Sequence, residues 1–142
     1  MQNIKRILIV VDDSINSELI VREGIFLTKL LGIKAKIITV NDTYQFISSV
    51  VIEERLKKEA IAFMDDFIKI GEDLGVKIEA QLLVGKPAEE IVKFAKEDDL
   101  IIMAHHDRTK GINKFMESSV SRDVVRDANC SVLVVKSKET SS

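Results

Sequence analysis

The stretch Arg6-Ile-Leu-Ile-Val-Val-Asp-Asp-Ser14 decides the fold. Arg6 to Val11 is an unbroken run of branched apolar residues without inward–outward alternation, the pattern of a strand buried on both faces of a parallel sheet. Two acids and a serine then break the run, and Ser14 is placed to cap a helix whose apolar face is Ile20, Gly24, Leu27 and Leu31. Gly32 supplies the stop.

The same alternation continues outward. Lys34 to Val40 reads as a second strand, and a polar connection with Asn41 and Asp42 leads to a long helix from about Val51 to Leu74. Its stripe is Ile52, Leu56, Phe63, Phe67, Ile70 and Leu74, spaced by threes and fours. Lys77 to Leu83 alternates polar residues with Ile78, Ala80 and Leu82, as expected of a half-exposed strand near a sheet edge. Pro87 opens a short helix at the position where its missing N–H costs nothing. Leu100 to Ala104 is a fourth strand, His105 to Glu117 a polar loop, and a helix starts near Ser119. Ser131 to Val135 is the fifth strand. One domain over residues 1–138 with a disordered tail, 139–142, accounts for the chain.

Strands separated by helices imply right-handed crossovers and a parallel sheet covered on both faces. Ligands in such sheets sit beyond the C-terminal strand ends, where the strand order reverses. The least structural-looking residues follow strands one and four, which suits a reversal between them.

Composition narrows the function. The chain has 142 residues, 46% apolar and 31% charged, with 21 basic against 23 acidic side chains. That balance argues against nucleic acid as the main partner. A single cysteine, Cys130, forms no internal disulfide and fits a reducing compartment. No apolar run reaches the roughly 18 residues of a membrane helix, and Lys5-Arg6 leads straight into a strand with no room for a signal peptide. A cytoplasmic protein is expected.

Other chemistries fit poorly. His105 and His106 are sequence neighbours with no further His or Cys nearby, so loop histidines are expected and no metal site. Cys130 reads as a core or half-buried thiol, and Asp65-Asp66 and Asp98-Asp99 as solvated acids. Phe63, Met64 and Phe67 are core packing at helical spacing. The acids after strand one resemble those of receiver domains, but Lys77–Leu83 ends in Val84-Gly85 without the phosphoacceptor aspartate, and two strands follow Lys86-Pro87. An ATP pyrophosphatase would need glycines that Val11-Asp-Asp-Ser14 lacks. No nucleophile–base pair, nucleophile elbow or Walker loop is evident, so no catalytic residue is expected.

Taken together, Val11-Asp12-Asp13-Ser14, Val40, Gly85-Lys-Pro-Ala-Glu-Glu-Ile91, Leu100-Ile-Ile-Met-Ala104, Ser119-Val-Ser121 and Ala128-Asn-Cys-Ser-Val-Leu-Val-Val135 resemble the universal stress protein family over about residues 4 to 136. The resemblance implies a three-layer α/β/α sandwich, Rossmann-like and of the adenine nucleotide alpha hydrolase-like type, with a five-stranded parallel sheet of order 3-2-1-4-5. It also implies a homodimer and a role in surviving stress. Part of that family binds ATP. By resemblance the nucleotide-binding candidates are Val11, Asp12 on the ribose, Val40 beside adenine, and Met103, Ala104, Asp107, Ser118, Ser119, Val120 and Ser121 around the phosphates; Asp12 reads equally as a turn residue satisfying backbone donors after the strand.

The phosphate loop of the ATP binders follows Gly-x2-Gly-x9-Gly-Ser/Thr, because glycine lets backbone N–H groups approach an anion at a helix entrance. Here Ala104, Asp107 and Ser118 stand at the three glycines, and ten residues, 108–117, separate the last two. Ala104 adds a methyl, and Asp107 adds a carboxylate where phosphates would sit. Arg108, Lys110, Lys114 and Arg122 keep the region basic. The expectation is a protein acting as a homodimer through contacts with an unknown protein partner, with ATP binding weakened or lost. The alternative is an adenine-nucleotide switch built on Asp12 and the 104–121 loop. If strand five is an edge, Val132, Leu133, Val134 and Val135 form an apolar ribbon suited to pairing with a second copy.

Overall fold

The computed structural model describes residues 3–42, 50–105 and 118–136. Its elements run β1 (Arg6–Val10), α1 (Ser17–Leu31), β2 (Lys34–Asn41), α2 (Val50–Asp73), β3 (Glu79–Val84), α3 (Pro87–Phe94), β4 (Asp99–His105), α4 (Ser118–Asp127) and β5 (Ser131–Lys136). The sheet order is β3-β2-β1-β4-β5, and every neighbouring pair is parallel. The expected tail, residues 139–142, lies outside the described residues.

Two cores flank the sheet. Ile7, Ile9, Val11, Ile37, Ile102 and Ala104 point to one side, where α1 supplies Ile20, Val21 and Ile25 and α2 supplies Met64. Leu8, Val10, Ile38, Val40, Ile101 and Met103 point to the other, against Ile91 of α3 and Val124 of α4. Because successive residues of β1 and β4 are claimed by opposite layers, both strands are apolar throughout. β3 and β5 are the edges, and neither contains a fully buried residue.

Gly24 brings α1 close to the sheet: a Cβ there would lie 2.6 Å from Cδ1 of Ile9. Gly32 ends the helix in the left-handed conformation (φ 66°), its N–H donating to the Thr28 carbonyl, a geometry a Cβ disfavours.

Several details differ from the sequence reading. Helix α1 begins at Ser17 with Asn16 at its N-cap, so Ser14 is not the cap; its carbonyl instead accepts from Ser17 N–H. The buried face of α1 is Ile20, Val21, Gly24, Ile25 and Thr28, with Leu27 only partly covered and Leu31 exposed. Ile52 and Leu74 of α2 are exposed as well, while Ala60 and Met64 are buried. The helices approach the sheet along small residues, which rotates the covered face away from the largest side chains.

Asp99 is the clearest correction. It was expected in solvent, yet it opens β4, is 2% exposed and takes Arg6 in a bidentate pair: Nε to Oδ1 at 2.8 Å and Nη2 to Oδ2 at 2.7 Å. The Lys96 N–H also donates to Oδ2, and the Arg6 guanidinium stacks 5.3 Å from the centre of the Phe94 ring. The hydrogen bond to Asp99 raises the Arg6 pKa above its ordinary value against the opposing effect of burial. Asp98, Asp65 and Asp66 face solvent as expected.

Candidate functional site

Helix α1 leaves β1 for one face of the sheet, while α4 leaves β4 for the other. β1 and β4 are hydrogen-bonded neighbours, with Ile9 opposite Ile102. The chain therefore reverses its winding between them, and a crevice opens beyond their C-terminal ends. The reversal falls where the sequence suggested it.

Asp12 stands at the β1 side of this crevice and is buried. Its Oδ1 accepts from the Ser14 N–H and from the Ser17 hydroxyl, both at 2.9 Å. Ser17 Oγ in turn accepts from the Asp12 N–H at 3.0 Å. The carboxylate is thus locked by its own turn, an Asx-type arrangement reinforced from the first residue of α1. Oδ2 takes no hydrogen bond among the described residues. Ser17 escaped the sequence reading; its signal is a hydroxyl at the first helical position, one turn beyond an aspartate that ends a strand.

On the β4 side, Met103 is buried beneath α4 and Ala104 beneath α1. The Ala104 methyl, expected to crowd a ligand, is taken up by the core of the α1 layer. His105, expected in the loop, is the last residue of β4, and its Nδ1 shares a 2.8 Å hydrogen bond with Oγ of Ser121 in the first turn of α4. This pair resembles a nucleophile and its base in composition alone. The Ser121 side chain is buried, so it has no face for a substrate, and the contact ties a strand end to a helix start.

Val40, one residue before the end of β2, has its side chain buried, and Val11 is buried on the α1 side. Ser119 and Val120 are half-buried at the entrance of α4, whose first turn carries no acid of its own. Ser118 begins the helix. His106 and Asp107 lie outside the described residues, as do Arg108, Lys110 and Lys114. At the far edge, Val132 packs on the α3/α4 core and Leu133 is exposed on β5. Cys130 is half-buried just before β5; burial, with the charge of Asp99 adding to it, pushes its thiol pKa up, which suits the packing role expected of it.

These features define a class: doubly wound α/β domains whose strand order reverses between β1 and β4. Within it, residues 3–136 match the model of the universal stress protein family, and the chain belongs to that family. Universal stress protein MJ0531 of Methanocaldococcus jannaschii is 42% identical over 88 residues, covering 61% of this chain and 51% of that protein. MJ0577 of the same archaeon is 37% identical over 91 residues, covering 63% and 56%. The matched segments thus span about half the length of these two relatives. A Staphylococcus saprophyticus protein named for the same family is 31% identical over 98% of this chain and 87% of its own.

Solved structures agree. That of MJ0577 superposes with a TM-score of 0.79 at 32% identity, covering 96% of this chain and 98% of that one. The universal stress protein of Archaeoglobus fulgidus in complex with dAMP gives 0.65 at 25% identity, covering 96% and 100%. No helix among the described residues is long and apolar enough to cross a membrane.

Proposed function

We propose that this chain is a non-enzymatic stress-response protein, a cytoplasmic homodimer acting through protein contacts, in which the inherited nucleotide crevice has lost most of its capacity for ATP. The observation that carries the reading is the state of the crevice's hydroxyl and carboxylate groups. Ser121 Oγ is spent on His105, and Asp12 Oδ1 on Ser14 and Ser17. Glycine is missing at all three positions of the phosphate loop, and Asp107 adds negative charge between them. A polyphosphate held by this segment would meet the Asp107 charge, and the hydroxyl of Ser121 already has a partner.

The dimer reading rests on β5. It is an edge strand, paired on one side with β4, with Leu133 exposed. Pairing with β5 of a second copy covers that edge by two-fold symmetry.

A second reading has one specific observation in its favour. Asp12 Oδ2 is uncommitted at the crevice, the arrangement a ribose hydroxyl would use, and a relative of known structure holds dAMP. On this reading the ligand is an adenine nucleoside or monophosphate, which avoids most of the charge conflict.

Thermal unfolding separates the two. If the first reading holds, millimolar ATP-Mg and AMP each leave Tm nearly unchanged. A rise of several degrees with either nucleotide, lost in Asp12→Ala, would reject it.

A further inference from the structure

We draw no further inference here: the strongest candidate, the exposed apolar stripe that Leu19, Phe26 and Leu30 form on the outer face of α1, carries nothing because nothing in the structure shows what covers it.

Discussion

Nδ1 of His105 lies 2.8 Å from Oγ of Ser121, joining the end of β4 to the first turn of α4 across the connection between them. The hydrogen bond ties together the two ends of the segment between β4 and α4.

Removing this bond should loosen α4 before the rest of the fold. Ser121→Ala removes the hydroxyl that His105 Nδ1 contacts and should cost about 1–2 kcal/mol, read from urea unfolding. Hydrogen exchange should rise first in residues 118–127. A variant with wild-type midpoint and unchanged exchange in α4 would show that the contact is incidental.

At the opposite end of the sheet, Asp99→Ala removes the bidentate partner of the Arg6 guanidinium, leaving it stacked on Phe94. Loss of one member of such a pair costs about 3 kcal/mol, or roughly 10 °C in Tm for a domain of this size. Asp98→Ala removes only an exposed 3.9 Å pair with Lys5 and should stay within about 0.5 kcal/mol of wild type. Equal effects from the two variants would contradict the assignment.

Cys130 gives the pH dependence. Its folded pKa is raised above the ordinary 9.0, first by burial and then by the Asp99 charge. The neutral thiol is the favoured form, so its contribution to stability is full below pH 9 and fades as pH rises above it. Alkylation by iodoacetamide at pH 8 should be several-fold slower than for an unstructured cysteine peptide, because less thiolate is present and access is restricted. A rate equal to the peptide's would refute it.

Substitutions on β5 test the proposed dimer. Leu133→Lys places a charge on the exposed side of the edge strand and should remove the β5-mediated step in light scattering while the chain stays folded. Val134→Pro should give monomer or unfolded chain. A dimer that survives both would put the interface elsewhere.

Much of the fold was legible because central strands buried on two faces must be continuously apolar while edge strands alternate, and five runs of these two kinds punctuated by Gly32, Pro87 and polar turns leave few alternatives. The reversal between β1 and β4 was legible as well, since residues such as Asp12 and Ser119 have no structural reason to follow strands one and four together. What escaped were partnerships made only by sheet pairing. Arg6 and Asp99 are 93 residues apart in sequence, and only the register that sets them opposite one another turns a solvated-looking acid into a buried one. The rotation of α1 was hidden for a related reason: its contact face is marked by Gly24, while Leu19, Phe26 and Leu30 point outward. Ser17 was missed because its role depends on the turn that brings it back to Asp12.

Titration calorimetry of ATP-Mg into the wild-type chain and into an Ala104→Gly/Asp107→Gly variant tests the central claim most directly. Wild type should give a flat trace at millimolar nucleotide, and the variant, relieved of one carboxylate, should bind at least about tenfold more tightly. Saturable wild-type binding well below millimolar, abolished by Asp12→Ala and not improved by the glycines, would contradict the account.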